Sequence, residues 1–364
     1  MQTKIIPTAF CSKSLVSFVN AVLRSIDREG IDVLKTTSVY DNINPWLVKE
    51  WISFYGEETA QTIVEASMVQ SPLFLSVNHS PESTDIQKNQ KIELIKGHFN
   101  TEEEEAEILP HGMVKVPRKF RGSVSSWPLY NEGEWWVQDA SATLPVIALE
   151  KALAKSHIQT DDGLIHLVDL CSAPGGKTAQ LCALGLGKVK VTAVEVSARR
   201  TKPLRENLER LKMTDVCEVV VADGREWLPK NDEVIHGVVV DAPCTATGLG
   251  SRRPDVLRKS LNLDELIPIQ RELAAHTADN LLEAGGIMVY ATCSLLKQES
   301  EDQMKWLLSR EEGADMETIP FLRGEIPGFD NSIDKNGWLR VLPGILGGSL
   351  SSCDGFFIAR LKRL

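Results

Sequence analysis

The second half of the sequence alternates short apolar runs with helical patterns, and this alternation constrains the fold more than any other feature. Five runs are rich in β-branched residues without regular polar alternation, as expected for strands buried on both faces. These runs are LIHLVDL, KVTAVEV, CEVVVAD, IHGVVVD and GIMVYAT. Their order with the helices predicts an α/β fold with a parallel, doubly wound sheet, which binds its ligands at the carboxyl ends of the strands.

The first of these strands ends in the loop DLCSAPGGKT, and two kinds of nucleotide site compete for it. A P-loop NTPase is one alternative, because Asp241 ends a later apolar strand where an NTPase holds its metal ion. Two residues oppose this alternative. Cys171 stands where the P-loop needs its first glycine, and Pro174 removes an amide that would bind phosphate.

Glu195, near the end of the second strand, favours a ligand that is held by its ribose. It follows the loop glycines by about 20 residues, where an acid can accept both ribose hydroxyls. S-adenosylmethionine has a ribose, an adenine and a carboxylate but no phosphate. We expect the helix after Gly176 to bind the carboxylate, Asp169 or Asp241 the ammonium group, and Asp223 the adenine. A single such acid is more often a loop cap, but four at strand ends favour a ligand site.

Two cysteines follow the fourth and fifth strands, whose ends flank one cleft in such a sheet. They are Cys244 in VVVDAPCTATG and Cys293 in MVYATCSLLKQESE. Thiols here suit methylation of cytosine carbon 5, which becomes nucleophilic only after a thiolate adds to carbon 6. A base must later remove the proton from carbon 5. Cys182 and Cys217 lie beside apolar runs and are interpreted as buried hydrophobic residues, and Cys353 is given no role.

Three segments, CSAPGGKT, DAPCTATG and ATCSLLKQESE, resemble signature blocks of the RNA 5-methylcytosine methyltransferases of the Sun family. The resemblance is strongest to the RsmB branch, which modifies small-subunit ribosomal RNA, and WWVQDASATLP, GLGSRRPDVLR and DGFFIARLKR agree with it. It implies a Rossmann-like methyltransferase sheet behind a smaller α+β RNA-binding domain. It also implies S-adenosylmethionine as the cofactor and RNA as the substrate, with rRNA favoured over tRNA.

The resemblance further assigns roles to individual residues. It makes Cys293 the nucleophile and Cys244 the residue that assists product release, and Asp241 then hydrogen-bonds the cytosine edge. Lys177 either lies near the cleft, where its charge can favour a thiolate, or is an ordinary lysine on a helix surface. The implied cofactor contacts are Cys171, Ser172, Ala173, Pro174, Gly175, Gly176, Lys177, Glu195, Arg200, Asp223 and Asp241.

The chain divides into three predicted parts. Residues 1–38 hold a residual NusB-like helix (about 12–28) and a linker, residues 39–140 a small α+β RNA-binding domain, and residues 141–364 the methyltransferase domain. Compared with the RsmB branch, the resemblance implies that most of the NusB-like domain is absent. In the middle part, helices are expected from Asn44-Pro45 to Gly56 and over EETAQTIVEASMV, and short strands over LFLSVN and KIELIKG.

A net charge of −10 argues against RNA binding by bulk attraction, so local basic patches must supply it. The predicted RNA-binding residues are Arg118, Lys119, Arg121, Arg252, Arg253 and Arg258. Trp127, Trp135 and Trp136 can stack on bases, although core packing accounts better for most of them. The shortened N-terminal part leaves a non-catalytic RNA-binding assembly factor as a further alternative.

Composition limits the cellular setting. No apolar run reaches the roughly 18 residues of a membrane span, and the first residues lack the apolar core of a signal peptide. The seven cysteines contain no CxxC pair, which argues against zinc and for a reducing compartment. We therefore expect a cytoplasmic monomer that binds neither a membrane nor a metal ion.

Overall fold

The computed structural model describes residues 13–30, 38–156, 163–186, 188–230 and 233–364. Much of the predicted segment 1–38, including residues 1–12 and 31–37, lies outside this range. The helices are α1 (Lys13–Glu29), α2 (Pro45–Tyr55), α3 (Glu57–Ser67), α4 (Asp85–Phe99), α5 (Leu144–Ser156), α6 (Gly176–Cys182), α7 (Ala198–Arg210), α8 (Leu263–His276) and α9 (Glu301–Leu308). The strands are β1 (Phe74–Val77), β2 (Glu107–Ile108), β3 (Val114–Lys115), β4 (Trp135–Val137), β5 (Leu164–Leu170), β6 (Lys188–Glu195), β7 (Cys217–Val221), β8 (Ile235–Asp241), β9 (Leu282–Thr292), β10 (Met316–Thr318), β11 (Leu339–Val341) and β12 (Phe356–Arg363).

The large sheet confirms the predicted parallel strands. Its order is β10-β12-β9-β8-β5-β6-β7, and the five strands from β7 to β9 in this order are parallel to their neighbours. β12 is antiparallel to β9, β10 and β11. The chain passes from β7 at one edge to β8 in the centre, so strand order reverses between β5 and β8. A doubly wound sheet binds ligands above the carboxyl ends of the strands at such a reversal.

Apolar residues cover both faces of the large sheet. On one face, Leu149 of α5 and Leu204 of α7 belong to the same buried cluster as Leu167 and Val239. On the other face, residues of α8 and α9 pack with Val168 and its neighbours. Strands that are buried on both faces need apolar residues at successive positions, which explains why the runs in the sequence do not alternate.

The small sheet has the order β2-β3-β1-β4 and is antiparallel. One prediction here is wrong, because KIELIKG is not a strand but the second half of α4. Its buried residues Ile92, Ile95 and Phe99 follow helical spacing, and Thr84 caps the helix in a reciprocal capping box with Gln87.

The other predicted helices before the large sheet are confirmed. Asn44 caps α2, with Pro45 in its first turn, and Gly56 ends it before α3 begins. The described part of the N-terminal helix is α1, which buries Val16 but leaves Leu15 and Phe18 exposed. Trp127, Trp135 and Trp136 are buried in apolar clusters, as core packing predicted. Among the described residues, no helix is long and apolar enough to cross a membrane.

Candidate active site

The loop between β5 and α6 lies above the reversal of strand order. Cys171 and Gly175 have positive φ angles of 63° and 105°, a conformation that glycine adopts without strain. A Cβ atom at Gly175 would lie 3.0 Å from Cγ of Leu204, so this turn also passes close to α7. Ser172 binds back onto the sheet through its amide, which donates to the Val194 carbonyl at 3.1 Å. The loop is thus held on the ends of β5 and β6.

Two buried carboxylates lie beneath this loop. Asp169 accepts a 2.6 Å hydrogen bond from the Thr178 hydroxyl through Oδ2, while its Oδ1 is buried without a partner. Burial raises the pKa of Asp169 to about 7. Glu195 accepts bonds from the Ala173 amide at 3.3 Å and from the Ser197 amide at 3.0 Å. Glu195 therefore holds the loop in place, besides any contact that it makes with a ligand.

Arg200 and Asp223 lie at the rim of this region. The Arg200 guanidinium donates to the Ala173 carbonyl at 2.7 Å and lies 3.4 Å from Glu195. Asp223 lies two residues beyond β7 and is paired with Arg225 at 2.6 Å, and hydrogen bonds from Arg225 lower the pKa of Asp223. The structure brings the predicted cofactor residues to one end of the sheet. Their individual contacts with the cofactor stay predictions.

The residues around the loop fit the charges of S-adenosylmethionine. The unpartnered Oδ1 of Asp169 is an acceptor that lacks a donor, and an ammonium group is a donor that would also stabilise the ionised carboxylate. The first amides of α6 follow Gly175 and have no partner within the helix, as in any first turn. A carboxylate is the kind of group that such amides bind.

A cleft of about 530 Å³ opens beside the loop and is lined by residues of both sheets and their connections. Lys177 and Asp241 lie in it as an ion pair with an Nζ to Oδ2 distance of 2.7 Å. The Lys177 ammonium group also lies 5.1 Å from the centre of the Phe356 ring. Burial opposes the charge of Lys177, but Asp241 more than compensates, and the pKa of Lys177 is raised. Lys177 is therefore a protonated residue of the cleft and not a surface lysine.

Cys244 and Cys293 meet at this cleft, with 3.5 Å between their Sγ atoms. Both residues are half-buried, and Cys293 lines the cleft. The hydrogen bond with Cys293 and burial raise the pKa of the Cys244 thiol. Gly248 fixes the backbone of Cys293 by donating to its carbonyl at 2.8 Å. A Cβ atom at Gly248 would lie 2.3 Å from the Gly355 carbonyl oxygen, so no larger residue fits there.

Glu299 holds the two cysteine loops together, a role that the sequence analysis missed. It is fully buried, and its carboxylate accepts from the Thr245 amide at 2.9 Å and hydroxyl at 2.5 Å. It also accepts from the Ser294 hydroxyl at 2.5 Å and from Gln270 at 3.0 Å. Thr245 and Ser294 are the residues that follow Cys244 and Cys293. The motif ATCSLLKQESE contains Glu299, but its partner Thr245 lies too far away in the sequence for a local pattern to show the contact.

The predicted RNA-binding residues fall into two groups. Arg252 lies in the cleft, where its guanidinium contacts Asp139 and Asp354, each at 2.8 Å. The other group is exposed and does not line the cleft; it consists of Arg118, Lys119, Arg121, Arg253 and Arg258. Lys119 pairs with Glu103, and Arg253 pairs with Asp255 at 3.0 Å.

The profile of the family described as "16S rRNA methyltransferase RsmB/F" matches residues 158–362, more than half of the chain. The chain belongs to the RsmB/F family. It is therefore an S-adenosylmethionine-dependent rRNA methyltransferase, and this confirms the resemblance found in the signature blocks.

Two similar proteins show the extent of the relationship within the RsmB/F family. Ribosomal RNA small subunit methyltransferase B of Yersinia enterocolitica is 33% identical over 85% of this chain and 68% of its own length. The probable ribosomal RNA small subunit methyltransferase B of Bacillus subtilis is 28% identical over 96% of this chain and 74% of its own length. The chain thus spans roughly 70% of the length of these two relatives.

A solved structure supports the fold. A methyltransferase homologue from Pyrococcus horikoshii superposes with a TM-score of 0.63, covering 88% of this chain and all of its own. Its sequence identity is 23%, so this likeness concerns the architecture of the RsmB/F-family chain and not its substrate.

Proposed function

We propose that this RsmB/F-family protein methylates carbon 5 of a cytosine in rRNA through a covalent bond to Cys293. The observation that carries the proposal is the pair of thiols 3.5 Å apart at the ends of β8 and β9. One of them, Cys293, lines the cleft that also contains the Lys177–Asp241 pair. Methyl transfer to an oxygen or an exocyclic nitrogen would need no thiol, whereas carbon 5 of cytosine needs a nucleophile to activate it.

The proposed reaction has four steps, which are addition of the thiolate, methyl transfer, removal of a proton and cleavage of the carbon–sulfur bond. The Cys293 thiolate adds to carbon 6. The π electron pair of the carbon 5–carbon 6 double bond is then delocalised over the ring, which makes carbon 5 nucleophilic. S-adenosylmethionine, when bound, would supply the methyl group to carbon 5, and its sulfur–methyl bond would break to leave S-adenosylhomocysteine. After carbon 5 has bonded to the methyl carbon, a base removes the proton from carbon 5. The carbon 6–sulfur bond then breaks, which restores the double bond and the Cys293 thiolate.

Lys177 and Asp241 are suited to position the target cytosine. One oxygen of Asp241 accepts from Lys177, and the other can accept from the cytosine amino group. The positive charge of Lys177 stabilises the electron density that the addition moves into the ring. Cys244, with a raised thiol pKa, is protonated at neutral pH and can exchange a proton during release of the product.

The domain division belongs to the same proposal. We infer that residues 39–140 and the exposed basic residues Arg118, Lys119, Arg121, Arg253 and Arg258 help to hold RNA, while residues 141–364 carry the chemistry. Carbons 5 and 6 of cytosine are stacked inside a duplex, so the target must be single-stranded or flipped out. The location of Cys293 in the lining of a cleft supports such a target.

A trapping experiment tests the proposal. Cys244→Ala should accumulate a covalent RNA adduct that survives denaturing electrophoresis, because addition proceeds and release is slowed. Cys293→Ala should form no adduct and no 5-methylcytidine, measured by mass spectrometry of digested rRNA. Cys217→Ala is a matched control, since this thiol lies outside the cleft, and it should behave like the parent protein. If neither the parent protein nor any variant forms an adduct or 5-methylcytidine, the chain is not a cytosine-5 methyltransferase.

A further inference from the structure

Three cationic side chains line the cleft, and they differ in how their charge is compensated. Lys177 is paired with Asp241, and Arg252 is paired with both Asp139 and Asp354. The third is Arg210, at the end of α7. Among the described residues, Arg210 forms no ion pair with a carboxylate. The cleft of a protein that binds a polyanion thus contains one cation whose charge is not neutralised by a neighbour.

Neutral groups hold Arg210 in a fixed position. Its Nη1 donates to the Tyr130 carbonyl and its Nη2 to Asn207 Oδ1, each at 2.6 Å. The guanidinium carbon lies 4.1 Å from the centre of the Tyr130 ring. The Tyr130 ring in turn packs edge-on against Trp135, with 5.5 Å between the ring centres. A guanidinium has five N–H donors, and two are used in these bonds. Of the other three, the Nε–H is buried without a partner, and the two on Nη1 and Nη2 are left for a ligand.

We propose that Arg210 binds a phosphate of the RNA next to the target cytosine, an inference that rests on the proposed function. Cys293, Trp136, Tyr130 and Arg210 line the same cleft, so an RNA strand with its cytosine at Cys293 can place a neighbouring phosphate at Arg210. A planar guanidinium matches two phosphate oxygens. Val124 and Trp136 add apolar walls for the base that this phosphate carries.

The overall charge of the protein makes this contact important. At −10, the chain repels RNA at a distance, so affinity must come from a few local contacts. Burial lowers the pKa of Arg210, but an arginine remains protonated at neutral pH. The charges of the other two cleft cations are already balanced by carboxylates, whereas the charge of Arg210 is not.

The test measures binding of a 5′-fluorescein-labelled single-stranded RNA hexamer with one central cytosine, by anisotropy across a salt series. Arg210→Met should bind about tenfold more weakly at low salt, the loss expected for a charge-assisted contact. Its slope of log affinity against log salt should be about 0.7 shallower, which corresponds to one lost phosphate contact on a single strand. Arg210→Lys should restore most of the slope.

Arg205→Met is the matched control, because Arg205 lies on the same helix, is exposed, and contacts the Val219 carbonyl instead of the cleft. It should match the parent protein. A parent protein that does not bind the hexamer, or an Arg210→Met variant with the parent affinity and slope, overturns the proposal.

A second measurement does not depend on the folding of a variant. With the parent protein, a neutral methylphosphonate placed at one phosphate beside the cytosine should cause the same loss of affinity, and equal affinity for all positions overturns the proposal. These binding results do not require methyl transfer. A missing adduct in the trapping experiment refutes the chemistry while leaving the phosphate contact to be judged by binding alone.

Discussion

Replacing Glu299 by alanine should destabilise the protein and separate the two cysteine loops. The substitution removes a fully buried carboxylate that accepts four hydrogen bonds, from Thr245 twice, Ser294 and Gln270. The Gln270 side chain keeps its hydrogen bond to the Pro243 carbonyl. The Thr245 and Ser294 hydroxyls lie 3.1 Å apart and can hydrogen-bond each other. The Thr245 amide has no such replacement.

The magnitude follows from these partners. A buried amide left without an acceptor costs about 1–3 kcal/mol, and the cavity left by the side chain adds to it. We expect a loss of about 3 kcal/mol in the free energy of unfolding, measured by urea denaturation. Glu299→Gln keeps the shape and one acceptor oxygen and should lose about 1 kcal/mol. Glu283→Ala, at an exposed position, should stay within about 0.5 kcal/mol of the parent protein.

The catalytic consequence separates positioning from plain stability. At a temperature where all variants are folded, Glu299→Ala should form the Cys293 adduct more slowly, because the backbone of Thr245 no longer ties the Cys244 loop to the Cys293 loop. Glu299→Gln should recover most of the adduct rate. An alanine variant with parental stability and a parental adduct rate would refute the role assigned to Glu299.

Two further predictions concern the cofactor pocket and the loop of the nucleophile. Burial raises the pKa of Asp169 to about 7 from about 4 in the unfolded chain, so its ionisation lowers stability as pH rises from about 4 to 7. Asp169→Asn should remove that pH-dependent loss in denaturation experiments. It should also abolish the rise in S-adenosylhomocysteine affinity that we expect over the same range in calorimetry; a parental pH profile in the variant contradicts this. Gly248→Ala places a Cβ atom 2.3 Å from a backbone oxygen and 2.8 Å from the Cys293 carbonyl oxygen, so adduct formation should fall sharply. Gly237→Ala meets the side-chain ends of Leu149 at 2.7 Å and of Leu167 at 3.2 Å, and it should cost about 1–3 kcal/mol while leaving the adduct rate of the folded protein intact.

Local patterns were sufficient to predict the five parallel strands of the large sheet and the residues at their ends, but not the antiparallel pairing of β10, β11 and β12. Strands buried on both faces need unbroken apolar runs, and the polar residues that follow them, such as Asp241 and Cys293, then lie at one edge. KIELIKG was mispredicted because a short apolar run without its neighbours fits a strand and a buried helix equally well. The capping box at Thr84 and the spacing from Ile92 to Phe99 were the signals that distinguish the two.

Contacts between distant segments could not be predicted from such patterns. Arg252 stands in a basic run, which suggested contact with RNA, yet the structure places it between Asp139 and Asp354. Arg210 lies in a helix of alternating charge that reads as an ordinary solvated surface, and only packing against the 127–134 loop brings it to Tyr130. Whether a cation is free to bind RNA depends on neighbours that the linear sequence does not reveal.

The distribution of charge in the cleft bears on how an acidic protein finds a polyanion. Most cations near the thiols are neutralised by carboxylates, so long-range attraction contributes little to the encounter with RNA. Each phosphate contact on a single strand contributes about 0.7 to the salt slope, so the cleft itself, with one uncompensated cation, should add only a small part of the salt dependence. Under the proposed function, recognition then depends on the fit of an unstacked cytosine between Lys177, Asp241 and Cys293. Such a site discriminates against duplex RNA because a paired cytosine cannot enter it, and no repulsive contact is needed to exclude the duplex.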